Sequence, residues 1–342
     1  MKAVRVHQYG TPPTIDDIPE PRIESPLDVI VRVDAAGVCR TDLHIIEGQW
    51  AEKSGVELPY VIGHENAGTV TEVGSAVTTV EVGDSVILHP LVTCGLCRAC
   101  REGDDVHCAD SRFPGISGDG GMAEFLRTSV RSVVKLDDGL EPAAVAALAD
   151  AGLTAYHAVR KAAVLLYPGA HVVMIGAGGL GHIGLQVLRA LTPAEVTVVD
   201  RSAEVLSMAA KLGADHVVRS DGTQVDQVLD LTDGLGAHVV LDFVGESGTE
   251  AEGVRMTRDA GSYFVIGYGG HVDVPTIDFV SREINVIGNL VGSYNDLDEL
   301  MTLAARDEVR LATRTYAFDD ALTALDDLDA GRIPGGRAIL TR

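Results

Sequence analysis

Polar and apolar positions alternate like a strand from Met1 to Val6, and again over 68–73. A strand-like run fills 29–33, and another, over 83–88, follows a turn at Gly83-Asp84. Gly and Pro interrupt this part often, and no long helical periodicity is evident before residue 142. The pattern predicts a compact, β-barrel-like unit. Near residue 150 the period changes. A short apolar run, 171–175, enters Gly176-Ala-Gly178-Gly179-Leu180-Gly181, and apolar positions then recur at helical spacing over 183–191. A second run, 196–199, ends in Asp200. Ser202 suits the cap of a helix reaching about 212, with Gly213 as its stop. Further buried-type strands are expected at 216–218, 239–241 and 263–266, most of them separated by helical stretches. Strands alternating with helices predict a doubly wound parallel sheet with helices on both faces. From about 291 the chain leaves this sheet and ends in a helix at 319–328 and a strand at 337–340. No internal repeat and no low-complexity tract is present.

The length of 342 residues suits two domains, and 46% hydrophobic with 23% charged residues is the composition of a globular protein. Disordered and collagen-like classes are excluded. No apolar run approaches the roughly 20 residues that span a bilayer, and the start lacks a signal-like stretch. The cytoplasm is the expected location. Fifty acids against 27 bases give a net charge of −23, which repels nucleic acid and anionic membrane. The bases are 22 Arg and 5 Lys. Such a surface suits the salt-rich cytosol of a halophile, where about 3 Å of Debye length quenches self-repulsion; a GC-rich genome that prefers Arg gives the same composition.

Four of the five cysteines stand in one short segment, Cys94-x-x-Cys97-x-x-Cys100-x7-Cys108. In a cytosolic chain this spacing argues for metal before disulfides. Four thiolates fill tetrahedral zinc and leave no open position, which marks a structural site. The glycine turn lies between a strand and a helix, with Asp200 after the next strand, as in a dinucleotide site. Gly176 allows the turn, Gly178 admits the pyrophosphate and Gly181 lets helix and strand pack closely. Asp200 suits the ribose hydroxyls of NAD and repels a 2′-phosphate; Arg201 beside it offers some tolerance of NADP. Cys39 and His64 stand apart. A Cys, a His and one further protein ligand would hold zinc with one position open.

The motifs Gly37-Val-Cys39-x-Thr41-Asp42-x-His44, Gly63-His64-Glu65-x-x-Gly68, the cysteine loop, Asp150-Ala-Gly152-Leu-Thr154 and the glycine turn occur in this order. In them the chain resembles the zinc-dependent medium-chain alcohol dehydrogenases, nearly end to end. The resemblance implies a GroES-like catalytic domain from 1–150 and 291–342, and a Rossmann domain from 151–290. It implies two zinc ions per chain. Cys39 and His64 would hold the catalytic ion. Many members place a third Cys where this chain has Asp150, a harder oxygen ligand; Glu65 is the alternative. Asp42 would orient His64. Thr41 would take the alcohol proton and pass it, through the cofactor ribose, to His44. Thr154, Phe243, Ile266 and Leu290 match positions lining the nicotinamide, and Arg337 one near the pyrophosphate; Leu290 and Ile266 suit the core in any case. Trp50, Phe113 and Leu290 are candidate pocket walls, better suited to an apolar alcohol or aldehyde than to a polyol. His157, His182, His216 and His238 read as structural. A homo-oligomer, tetramer or dimer, is implied.

Two other functions remain open on the residues: a sugar or polyol dehydrogenase of the same family, with Glu65 as ligand, and a zinc-free, quinone-reductase-like relative. The metal-ligand cysteines count against the second.

Overall fold

The structure, a computed structural model, describes residues 1–333 and 335–342. The chain divides into two compact units. The first comprises Met1–Leu153, Ser293–Asp307 and Leu311–Arg342; the second comprises Thr154–Gly292 and Glu308–Arg310.

The first unit is built on a seven-stranded sheet. Its path runs Thr313–Ala317, Arg337–Thr341, Asp28–Val38, Glu65–Val73, Ser85–Leu88, Val133–Lys135, with Phe125–Ser129 paired to Asp28–Val38. A three-stranded sheet joins Thr14–Asp17, Lys2–Val6 and Tyr60–Val61. Inward side chains such as Val31, Val70, Val86 and Leu340 form one apolar core, each buried aliphatic chain contributing about 1.5–3 kcal/mol. Register matters most at the long strand Asp28–Val38. Its Gly37 pairs with Glu65 on one side and Ile339 on the other. Arg337 therefore enters the sheet beside Glu65.

Among the described residues no long helix precedes residue 142, as expected, but three short α-helices do, Arg40–Glu47, Ala51–Ser54 and Arg98–Glu102; the first matters for the site. Residues Arg40–Glu47 form an α-helix. Two turns are too few to show a period in sequence, and local capping stabilises them. The Cys39 N–H donates to the Asp42 carboxylate at 2.9 Å, and Gly48 ends the helix at φ 90°. Asp42 and Ile45, three apart, face inward and are fully buried, while Thr41 and His44 share a half-buried face. The tail helix also differs from its expected start: 3₁₀ geometry occupies Phe318–Asp320, and the α-helix runs Ala321–Asp329.

The second unit is a six-stranded, wholly parallel sheet in the order His216–Arg219, Glu195–Asp200, His171–Ile175, Ala237–Asp242, Thr257–Val265, Asn285–Gly288. Strand order reverses between His171–Ile175 and Ala237–Asp242, the switch point at which such sheets bind ligands. Ser202 caps the helix Ala203–Lys211 by accepting from the Val205 N–H. The edge strand Asn285–Gly288 was not anticipated, because its exposed residues carry no buried-strand signal. Among the described residues no helix is long and apolar enough to cross a membrane.

Candidate active site

The four loop cysteines bring one sulfur each to within 4.8 Å of one another. Backbone N–H groups of Leu96 and Cys97 point at Cys94 Sγ, and those of Cys94 and Asp110 at Cys108 Sγ. Donors aimed at sulfur favour thiolates. The N–H groups of Cys100 and Ala109 pull Cys97 down to about 6, whereas burial and the neighbouring thiols push Cys100 up to about 12. The sulfurs compete for charge, which a tetrahedral cation would relieve. The donor set fits zinc.

A second group joins Cys39, His64 and Asp150, again within 4.8 Å. Cys39 caps the helix Arg40–Glu47, His64 directly precedes the strand Glu65–Val73, and Asp150 precedes the helix Ala151–Ala163. Both ring nitrogens of His64 are buried without a hydrogen-bond partner. Nε2 lies 3.6 Å from Asp150 Oδ2, and Nδ1 lies 3.3 Å from Asp42 Oδ1, out of line for a hydrogen bond. Burial by itself lowers the His64 pKa, but Asp42, Cys39 and Asp150 outweigh it and hold the ring well above its ordinary value. Burial raises the Asp150 pKa, against the pull of His64 and Arg337. A thiol, an orphaned imidazole nitrogen and a carboxylate suit a divalent ion, and this charge cluster fits zinc.

Glu65 is not in this group. Its Oε1 accepts from the Ala151 N–H at 3.0 Å, and its Oε2 is ion-paired to Arg337. Glu65 is fully buried and Arg337 only 4% exposed. Burial pushes the Glu65 pKa up and Arg337 opposes it. Arg337, placed near the pyrophosphate by resemblance, thus has an inward partner that sequence reasoning missed. The missing signal is the register of three strands, which no local motif reveals.

Thr41 and His44 share one face of the helix that Cys39 caps. Phe113 presents its ring edge-on to His64, 5.9 Å between centroids. Trp50 and Phe113 are half-buried against the core.

In the second unit, Gly176 adopts φ 84°, in the left-handed region. A Cβ on Gly181 would stand 2.0 Å from the Gly176 carbonyl oxygen, whereas one on Gly178 would meet open space. The turn is therefore tight at its ends and open in the middle, as a pyrophosphate requires. Asp200 ties it to the next strand: Oδ2 accepts from the Ala177 N–H at 3.0 Å, and Oδ1 from the Ser202 N–H at 2.8 Å. Arg201 is exposed. Phe243 packs its ring against the helix at Gly181 and Gly184, and Ile266 is buried. Leu290, expected to suit the core, is 54% exposed. It follows the edge strand, where nothing in its own unit covers it. His182 contacts the Gly178 carbonyl oxygen at 2.9 Å, a structural role within the turn.

Residues 25–138 match the family described as Alcohol dehydrogenase GroES-like domain, and residues 179–306 that described as Zinc-binding dehydrogenase. An NAD-dependent alcohol dehydrogenase of Sulfolobus acidocaldarius is 34% identical, across 99% of this chain and 99% of its own. The chain belongs to the zinc-dependent medium-chain alcohol dehydrogenases. Its folds are accordingly the GroES-like unit and the Rossmann sheet of that family. The crystal structure of an alcohol dehydrogenase from the archaeon Aeropyrum pernix matches all of both chains at 47% identity and a TM-score of 0.97. A D-arabinose 1-dehydrogenase (NADP(+)) of Saccharolobus solfataricus is 35% identical, across 99% of this chain and 97% of its own.

Proposed function

We propose that this protein oxidises alcohols to aldehydes or ketones with NAD, and catalyses the reverse reduction. Cys39, His64 and Asp150 would hold a catalytic zinc, and the four loop cysteines a structural one. The observation that carries this reading is the convergence of three ligand atoms around a buried His64 whose ring nitrogens have no partner. Zinc held by three protein ligands keeps a position open and polarises an alcohol oxygen as a Lewis acid.

The chain's own groups supply the rest. Ionised Cys39 and Asp150 contribute two negative charges, which balance a divalent ion. Arg337 cancels the charge of Glu65, so that carboxylate adds none. Asp42 sets the orientation of the His64 ring. Thr41 accepts the alcohol proton, and His44, one turn along the same helix face, hands it to solvent. Phe113 and Trp50 give the substrate an apolar wall, which favours an apolar alcohol. The glycine turn binds the pyrophosphate, and Asp200 selects NAD over NADP through charge. Thr154, Phe243, Ile266 and Leu290 bound the nicotinamide. By the same reading the enzyme is a cytoplasmic homo-oligomer, a tetramer by resemblance; light scattering checks the subunit count.

A sugar substrate is the second reading, favoured by the likeness to the D-arabinose enzyme. Turnover on a panel of alcohols, aldehydes and sugars separates the two. Zinc counting after mild chelation tests the site. Asp150→Asn should fall from about two zincs towards one, since losing a direct ligand costs at least the 10–100-fold typical of its hydrogen-bonded supporters. Retention of two zincs with normal turnover would move the third ligand to Glu65.

A further inference from the structure

The Rossmann sheet binds its dinucleotide at the carboxyl ends of the strands. At the opposite end lies a pocket of about 620 Å³, well within the size of small-molecule sites. One wall is apolar, made by Val225, Leu229 and Leu235, the last 71% exposed. The other carries Arg255, Arg258 and Arg282, against the carboxylates of Asp226 and Asp259. On a chain of net charge −23, three guanidinium groups around one cavity reverse the local sign.

The three arginines differ in what they already hold. Arg282 is spent on the protein: Nε donates to Asp259 at 2.9 Å, Nη1 to the Val254 carbonyl and Nη2 to the Thr257 carbonyl. Arg255, exposed at the end of the helix Thr249–Met256, makes no hydrogen bond or ion pair among the described residues.

Arg258 is the informative one. Its Nε is buried without a partner, and its Nη1 lies 2.6 Å from His238 Nε2. His238 Nδ1 accepts from the His171 backbone N–H at 3.1 Å. A neutral imidazole has one donor and one acceptor nitrogen. With Nδ1 accepting, Nε2 must carry the proton, which it can donate to Tyr167 Oη at 2.9 Å. The N–H of Nε2 then faces an N–H of Arg258. Burial and the adjacent Arg258 both lower the His238 pKa, so a second ring proton only worsens the conflict. Arg258 Nε therefore has no protein acceptor, and Nη1 competes with the His171 N–H for a ring that offers one acceptor nitrogen. A small rotation of this half-buried side chain would turn Nε and Nη1 to an anion in the pocket.

We propose that this pocket binds a small organic oxyanion, a phosphate or carboxylate carried on an apolar body. The oxyanion bridges Arg255 and Arg258, and the apolar body lies on Leu229 and Leu235. The site is separate from the dinucleotide turn, at the other end of the sheet.

Calorimetric titration of the zinc-loaded enzyme, with NAD saturating and NaCl fixed, tests this. Phenyl phosphate and benzoate are the probes, and their relative dissociation constants decide which oxyanion is preferred. One equivalent of at least one probe should bind, more tightly than inorganic phosphate. Arg255→Ala should weaken it about tenfold, the worth of a charge-assisted hydrogen bond. Asp226→Asn should tighten it several-fold by removing a like charge, a gain that a purely structural role would not produce. The proposal is overturned if neither probe binds, if inorganic phosphate binds as tightly as both, or if Arg255→Ala leaves affinity unchanged. Weaker binding by Asp226→Asn would equally overturn it.

Discussion

Arg337→Met removes the guanidinium that faces Glu65 while keeping most of the side-chain volume. Glu65 is fully buried, and its remaining partner would be the Ala151 N–H on Oε1. Breaking a buried ion pair from one side costs about 3–5 kcal/mol, because the surviving charge stays out of water. That is a large share of the 5–15 kcal/mol that holds a typical domain folded. Trp50, the single tryptophan, lies in the same compact unit, so its fluorescence follows the unfolding of that unit in urea. With a slope of about 2 kcal/mol per molar, the midpoint should fall by about 2 M. The double variant Glu65→Gln with Arg337→Met should recover most of the loss, since neither member of the pair is then left as an unpaired charge. A midpoint for Arg337→Met within about 0.3 M of wild type, on the same slope, would refute the reasoning. So would a double variant no more stable than the single one.

Three further outcomes are expected. Gly37→Ala places a Cβ 2.0 Å from Glu65 Oε2 and should cost about 1–3 kcal/mol by overpacking, read by the same fluorescence; wild-type stability would contradict the pairing of Gly37 with Glu65. Asp327 accepts from Tyr316 Oη and Arg332 Nε, both at 2.7 Å, and these bonds hold its pKa below the ordinary value. Its contribution is present above the unfolded value of about 3.9 and is lost as pH falls through the lower folded value. Asp327→Asn should thus be less stable than wild type near neutrality, and the gap should close in acid; a gap that widens in acid denaturation counts against this. Asp200→Gly should raise the ratio of kcat/KM with NADP to that with NAD, and an unchanged ratio would remove Asp200 from cofactor selection.

The elements that the sequence made legible are those whose signal is local. The apolar runs at His171–Ile175, Glu195–Asp200 and Ala237–Asp242 each carry a buried strand's composition. Ser202 and Gly213 bracket a helix at both ends, and the structure places Ala203–Lys211 between them. The helix Arg40–Glu47 and the strand Asn285–Gly288 were not legible. The helix has two turns and rests on caps rather than on periodicity. The strand lies at an edge and buries little, so its side chains carry no core pattern.

The same division holds for the site residues. Cys94, Cys97, Cys100 and Cys108 share one loop, and Gly176, Gly178 and Gly181 one turn, so covalent spacing alone keeps each set together. Cys39, His64 and Asp150 come from three separate segments, and nothing in the order of residues requires them to meet. Their meeting, and the pairing of Glu65 with Arg337, depend on the register of Asp28–Val38 with its two neighbours. A slip of one residue would turn Glu65 to the other face of the sheet. The sequence by itself determined the chemistry on offer: thiols, imidazoles, carboxylates and a glycine turn. The tertiary structure decided which of these groups share one buried space, because contacts between distant segments are set by sheet register and packing, and no local pattern encodes them.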